Sequence, residues 1–81
     1  MRLNIFRRAE PDGSHSYLAV PEGKVIPAEA VNSDWEADSW GIDLNEETDY
    51  LEEFSIAQPA QQIMSKGYAI TGSQGNANRR M

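Results

Sequence analysis

The 81-residue sequence contains no cysteine, so a disulfide framework, a thiol nucleophile and a thiolate zinc site are all excluded. It has one histidine, His15. Only 15 of its 81 residues are Leu, Ile, Val or Phe, which is just under the roughly 20% below which charged chains tend towards disorder. A chain this short forms one small domain, and most of its seven aromatic residues are needed to complete the core.

Long apolar runs are also missing. The longest covers residues 17–20, far fewer than the roughly 20 residues that span a bilayer. Asn4, Arg7 and Arg8 interrupt the one stretch that could form the apolar part of a signal peptide. We therefore expect a cytoplasmic protein that does not associate with membranes.

Basic residues are absent from a long central segment. The chain has 13 acidic and 7 basic side chains and a net charge of −6. Residues 25–57 contain ten acids and no lysine or arginine, whereas both flanking segments are net positive. The negative charge of the protein is therefore concentrated in one third of the chain.

The strongest local pattern is a β-hairpin. Strands over 2–8 and 15–20 flank Glu10-Pro11-Asp12-Gly13, in which proline and glycine favour a turn. Matching of the large apolar residues predicts that Leu3 faces Val20, Ile5 faces Leu18 and Phe6 faces Tyr17. Leu3, Ile5, Leu18 and Val20 would then form the core face, with Phe6 and Tyr17 on the other side.

The acidic middle of the chain has no steady period. Ser33-Asp34-Trp35-Glu36 is typical of a capping box and predicts a short helix over 34–40 that ends at Gly41. Residues 42–54 are predicted to form a loop with at most a short extended piece.

The C-terminal part predicts a helix and a strand. Pro59 opens the helix, Ile63 and Met64 lie on its apolar stripe, and Gly67 ends it before a third strand over 68–71. A right-handed crossover makes this strand parallel to the second and places the first between them. The prediction is an α+β fold with sheet order 2-1-3, one helix on a face and an irregular acidic middle. We expect one domain over residues 1–71 and a disordered tail over 72–81.

Several of these blocks together resemble a family of short uncharacterised bacterial proteins, chiefly proteobacterial. The blocks are 7–13, 16–24, 26–30, 32–36 and 67–71. The resemblance spans residues 2–71 and implies a single cytosolic domain of unknown function. It brings no activity, cofactor or catalytic residue with it.

No residue pattern favours an enzyme. His15 is predicted at a strand end near solvent, where it has no nucleophile to activate. Residues 43–49 begin like a calcium loop, but Thr48 stands where glycine is needed and Phe54 where the closing carboxylate belongs. Adjacent carboxylates such as Glu46 and Glu47 point in different directions and do not flank a cleft. We expect no catalytic residue, metal site or cofactor.

With catalysis set aside, the sequence leaves nucleic-acid binding, protein binding and self-association as possible functions. Phe6 and Tyr17 near Arg8 would suit stacked bases, but the net charge of −6 opposes nucleic acid. Of the two tryptophans, Trp35 is predicted in the core and Trp40 in part exposed. The leading hypothesis is a protein-binding or regulatory module that offers an acidic aromatic surface within 34–54 to a basic protein partner. Its predicted contact residues are Trp40, Tyr50, Phe54, Asp43, Glu46 and Glu47.

The alternative to that module is a structural domain that forms a homodimer. In the predicted sheet the second and third strands are the edges, and either could pair with a copy of itself. We expect a monomer or a weak homodimer.

Overall fold

The computed structural model describes residues 1–26 and 35–72. Its main sheet contains β1 (Arg2–Ala9), β2 (His15–Pro21), β3 (Glu36–Asp43) and, at the end of the chain, β6 (Ala69–Ile70). Between β3 and β6 lie the small pair β4 (Tyr50–Leu51) and β5 (Ile56–Ala57), a 3-10 turn over Glu52–Phe54, and α1 (Pro59–Lys66). The α+β class is confirmed. The predicted tail lies, apart from Gly72, outside the described residues.

The predicted turn joins β1 to β2. Gly13 has φ of +91°, and its N–H donates to the Glu10 carbonyl at 3.0 Å. The Ser14 backbone N–H and hydroxyl both donate to Asp12 Oδ1, at 2.9 and 2.6 Å. Both bonds lower the pKa of the Asp12 carboxyl, and the bond from the Ser14 hydroxyl has the larger effect.

The hairpin register differs by one residue from the prediction. Leu3 pairs with Pro21, Ile5 with Ala19 and Phe6 with Leu18. The prediction assumed that one face of the hairpin collects all the aliphatic side chains, whereas both faces of this sheet are buried. The shift therefore places Leu3 and Ile5 on one face and Leu18 on the other.

The predicted sheet order is wrong. The observed order is β3-β1-β2-β6, and every neighbouring pair is antiparallel. The prediction treated the path from β2 to the last strand as one crossover. In fact the chain first passes to the far edge, where β3 pairs with β1, and the last strand returns beside β2. The second strand of the chain is therefore internal.

The predicted helix over 34–40 is also wrong, because Glu36–Asp43 is strand β3. Backbone pairing with β1 holds this segment extended, and side-chain contacts with the same strand accompany it. Arg7 of β1 forms ion pairs with Glu36 and Asp38 at 3.9 and 3.7 Å. Gly41, which was expected to end a helix, instead has φ of +68° next to a register shift, as in a β-bulge. Its N–H donates to Asn4 Oδ1 at 3.1 Å.

Helix α1 begins and ends as predicted. Pro59 lies in its first turn, and Gly67 at its end has φ of +90° with its N–H donating to the Ile63 carbonyl at 2.8 Å. With β4, β5 and the 3-10 turn, the helix covers the face of the sheet that carries Leu3 and Ile5. The buried residues of this face are Leu3, Ile5, Ala19, Leu44, Phe54, Ile56, Ala60 and Ala69.

The opposite face has a second, smaller core. Leu18 and Val20 are fully buried there, together with Tyr68. The half-buried side chains that pack against them are Phe6, Ile26, Trp35 and Ile70. Apolar side chains therefore pack on both faces of the sheet.

Candidate functional site

The residues from Asp43 to Glu53 leave β3, pass through β4 and enter the 3-10 turn, and we call this segment the acidic loop. Six carboxylates belong to it, and all six residues are exposed. They are Asp43, Glu46, Glu47, Asp49, Glu52 and Glu53. The segment that the sequence marked as most acidic thus places its charges in solvent.

The backbone of the acidic loop is anchored at two points. Leu44 is buried, its N–H donates to the Met1 carbonyl at 2.7 Å, and its own carbonyl accepts from the Met1 amino group at 3.3 Å. Further along, beside Tyr50, the Gln58 N–H donates to the Asp49 carbonyl at 2.7 Å. A local turn between them is closed by the Thr48 N–H, which donates to the Asn45 carbonyl at 2.9 Å. These contacts fix the path of the backbone that carries the charges.

The arginines of the described residues are all engaged away from the acidic loop. Arg2 pairs with Glu22 at 3.4 Å, Arg7 with Glu36 and Asp38, and Arg8 with Glu10 at 3.1 Å. Within 1–26 and 35–72, no ion pair includes any of the six loop carboxylates. Their charge is therefore available to a partner.

Two of the predicted aromatic contact residues have opposite environments. Tyr50, in the middle of the acidic loop, is 50% exposed. Phe54 is only 7% exposed, and its ring centre lies 5.2 Å from that of Tyr17 inside the core. Phe54 is thus not offered to a partner, because the 3-10 turn directs it onto the face of the sheet that carries Leu3.

Trp40 is exposed but lies apart from Tyr50. It is 61% exposed, and its ring meets Phe6 edge to face at 5.6 Å. Since Phe6 packs on the second core, Trp40 belongs to the face of the sheet opposite α1. Trp35 is half-buried on that side, with the Arg8 guanidinium 4.5 Å above its ring. The predicted surface is therefore divided between two faces of the sheet.

The base-stacking platform considered from the sequence is not formed. Phe6 contributes to the second core, whereas Tyr17 packs with Phe54 on the first. Because the register is shifted by one, the two rings lie on opposite faces of the sheet. They cannot stack neighbouring bases together.

His15 and the carboxylates of the described residues show no arrangement that would bind a metal. Within the described ranges, no three His, Cys, Asp or Glu side chains are grouped to hold an ion. His15 is exposed at the start of β2, with its ring 6.5 Å from that of Tyr17.

The Glu10 carboxyl has a lowered pKa. The largest cause is the hydrogen bond that the Ser16 hydroxyl donates to it, and the next is the hydrogen bond from Arg8.

Sequence reasoning missed a surface groove. It has a volume of about 450 Å³ and lies between the end of β2 and the C-terminal half of α1. Its lining residues are Pro21, Lys24, Val25, Ile63, Lys66 and Gly67. The two halves of the lining are about forty residues apart in sequence, so no local pattern joins them. Only the packing of α1 beside β2 creates the groove.

The groove has a basic rim. Both lysines of the described residues line it, and none of the carboxylates of 1–26 and 35–72 does. The Lys66 ammonium lies 5.0 Å from the centre of the Tyr68 ring. Burial lowers the pKa of Lys66, because the ammonium is in part removed from water.

Within the described residues, no helix is both long and apolar enough to cross a bilayer.

No curated protein and no solved structure matches the chain. A family model does match, over residues 1–77, and it is described as a family of unknown function (DUF6139). Because the match covers nearly the whole sequence, the chain belongs to this family of unknown function.

Proposed function

We propose that the protein is a binding module without catalysis, whose acidic loop docks a basic surface of a partner protein. Tyr50 is the anchor of this contact. The observation that carries the proposal is a half-exposed tyrosine in a segment with six exposed carboxylates, none of which forms an ion pair within the described residues. Tyrosine is enriched at the centres of interfaces because it combines a large apolar ring with a polar hydroxyl.

Electrostatics would set the rate and the choice of partner. A cluster of like charges attracts an oppositely charged surface, speeds its approach and repels acidic competitors. Each exposed ion pair stabilises a complex by only about 0.2–1 kcal/mol. Several pairs together with the burial of the Tyr50 ring therefore predict a weak complex that dissociates as salt is added.

The footprint of this contact excludes two of the residues predicted from sequence. Phe54 is buried in the core, and Trp40 lies on the other face of the sheet. The remaining predicted contacts are Tyr50, Asp43, Glu46 and Glu47. Trp40 then serves as an internal reference, because it is an exposed aromatic residue outside the footprint.

The experiment is a titration of the labelled protein with a short lysine-rich peptide, followed by NMR amide shifts at low and at high salt. We expect shifts centred on the acidic loop that disappear at high salt. Replacing Tyr50 by Ser, or Glu46 and Glu47 by Gln, should weaken binding, whereas Trp40→Ala should not. Binding that spreads over the surface, or that survives both changes, would contradict the proposal.

A matched charge control is available in the same chain. The pair Glu22→Gln and Glu36→Gln removes the same two charges as the loop variant, but from carboxylates that already pair with arginines. If net charge alone governed binding, both double variants would lose the same affinity. A site at the acidic loop predicts a loss for the loop variant alone.

Self-association through sheet edges gains no support from the structure. The edges of the main sheet are β3 and β6. Strand β3 contains register shifts and acidic side chains, both of which oppose pairing with another strand, and β6 has only two residues.

We place the binding function in the cytoplasm, since a domain this small without any cysteine suits a reducing compartment.

A further inference from the structure

The groove between β2 and α1 has the chemistry of a receptor for an acidic, aromatic segment. Pro21, Val25 and Ile63 give it apolar walls, and Lys24 and Lys66 give it positive charge. Val25 is 85% exposed, so its side chain has almost no cover. A volume of about 450 Å³ is within the range of ordinary ligand pockets and is sufficient for one aromatic side chain.

The complementary segment is present in the same chain. Tyr50 is half-exposed and has carboxylates on both sides of it in the acidic loop. Its ring suits the apolar walls, and Glu46, Glu47 or Glu52 suit Lys24 at the rim. The negative charge of the loop therefore matches the basic rim of the groove, and the Tyr50 ring matches its apolar walls.

One copy cannot make this contact within itself. Tyr50 pairs with Ala57, and the Asp49 carbonyl accepts from Gln58, so the loop lies at the N-terminal end of α1. The groove is lined by Ile63, Lys66 and Gly67 at the C-terminal end of that helix. The two features are separated by the length of an eight-residue helix, which is about 12 Å.

We propose that the groove receives the Tyr50 end of the acidic loop from a second copy of this chain, which gives head-to-tail self-association. The contact is heterologous, since different surfaces of the two copies meet, so a further copy can add to each end. The inference rests on the proposed function because it uses the same acidic loop. Self-association would compete with the basic partner and so regulate access to the loop.

The first measurement is the average mass of the intact chain by sedimentation equilibrium, from about ten micromolar to about one millimolar, the range expected for a weak contact. We expect the mass to rise above the 9.0 kDa of the monomer with concentration and to fall with added salt. Lys24→Glu should lower the association constant at least about tenfold, because it replaces attraction by repulsion. Lys24→Arg should retain association.

A mixing experiment separates this contact from symmetric dimers. Lys24→Glu has a damaged groove and an intact loop, whereas Tyr50→Ser has an intact groove and a damaged loop. Each variant alone should be a monomer, and their mixture should form a 1:1 heterodimer that grows no further. A dimer through sheet edges would show no such complementation.

Three results would overturn the inference. They are a wild-type mass that stays at the monomer value throughout, association that Lys24→Glu leaves unchanged, and a mixture that remains monomeric. The proposed function is tested separately, because Lys24→Glu leaves the acidic loop intact and should still bind the lysine-rich peptide. Peptide binding without self-association would refute this inference alone, and self-association without peptide binding would refute the proposed function alone.

Discussion

Gln62 of α1 is hydrogen-bonded to Ile70 of β6: the Ile70 N–H donates to Gln62 Oε1 at 3.0 Å. The other end of the same side chain, Nε2, donates to the Ala57 carbonyl of β5. Gln62 is the buried polar residue of the described core, with 8% exposure. One amide therefore joins the helix to two strands and satisfies a backbone group on each.

Gln62→Ala should lower the free energy of unfolding by about 2–4 kcal/mol, because it leaves the Ile70 N–H and the Ala57 carbonyl without partners at about 1–3 kcal/mol each. Urea denaturation followed by circular dichroism measures this change. Gln61→Ala is the control, since Gln61 is the exposed neighbour on the same helix. Equal losses for the two variants would show that the Gln62 bonds do not contribute.

Thr71, the residue directly after β6, makes a similar bridge. Its hydroxyl accepts the Tyr17 N–H at 2.9 Å and donates to the Phe54 carbonyl at 2.6 Å. Thr71→Val keeps the shape but removes both bonds, so we expect a loss of about 1–3 kcal/mol in the same denaturation experiment. Thr48→Val, where the hydrogen bond is made by the backbone N–H, should change stability much less.

Alanine substitutions at Gly41 and Gly23 can be compared to test the bulge of β3. Both have positive φ, at +68° and +90°. A Cβ at Gly23 would meet nothing within 4 Å, whereas one at Gly41 would lie 2.7 Å from Arg2 Nη2. Gly23→Ala should cost about 1 kcal/mol for the backbone conformation alone. Gly41→Ala should cost more by at most about 1 kcal/mol, because the flexible Arg2 side chain must also move and its exposed ion pair with Glu22 is weakened.

A double-mutant cycle isolates the part of the Gly41 effect that comes from Arg2. In an Arg2→Ala background, Gly41→Ala should cost no more than Gly23→Ala does. The change in denaturation midpoint for the four proteins provides the test. A Gly41 penalty that stays the same without Arg2 would assign the whole effect to the backbone.

The elements that could be predicted from sequence are those with local causes. The turn at Pro11 and Gly13 and the helix between Pro59 and Gly67 depend on backbone preferences that a few residues express by themselves. The exposure of the acidic loop also followed from its composition. These features need no knowledge of what packs where.

The elements that could not be predicted depend on distant partners. Strand β3 has a capping pattern and no strand period, yet its pairing with β1 and its contacts with Arg7 and Asn4 hold it extended. The register of the hairpin followed from burial on both sides of the sheet, which Leu18 and Ile5 alone do not reveal. The groove, likewise, exists only after α1 has packed beside β2.

Glu10 should give the hairpin a pH-dependent contribution. The hydrogen bond from Ser16 and then that from Arg8 lower the pKa of Glu10 below its ordinary value of 4.5. A group with a lowered pKa in the folded state adds stability above its unfolded pKa, and that stability is lost as the pH falls through the folded pKa. We therefore expect Glu10→Gln to flatten the dependence of stability on pH below about 4.5.

A carboxyl titration by NMR checks the cause of this shift. Ser16→Ala should raise the pKa of Glu10 towards its ordinary value, since the Ser16 hydroxyl is the largest contributor. Asp12, whose pKa is lowered by Ser14, should titrate as before in the same variant. An unchanged Glu10 titration after Ser16→Ala would assign the shift to Arg8.

Phe54 and Tyr50 should separate stability from binding, because the 3-10 turn buries the first and β4 leaves the second half-exposed. Phe54→Ala removes a ring that packs against Tyr17 and against the sheet face that carries Leu3. We therefore expect it to lower the free energy of unfolding by about 3–5 kcal/mol. Tyr50→Ala should cost less than about 1 kcal/mol, since much of its ring stays in water when the protein folds.

Binding of the lysine-rich peptide should show the opposite order. At temperatures where both variants remain folded, Tyr50→Ala should weaken binding and the milder Phe54→Leu should not. Thermal melts and peptide titrations on the same samples give both quantities. If Phe54→Leu reduced binding as much as Tyr50→Ala, the anchor would depend on the shape of the core beneath it, and Tyr50 could not be the separate contact that its exposure indicates.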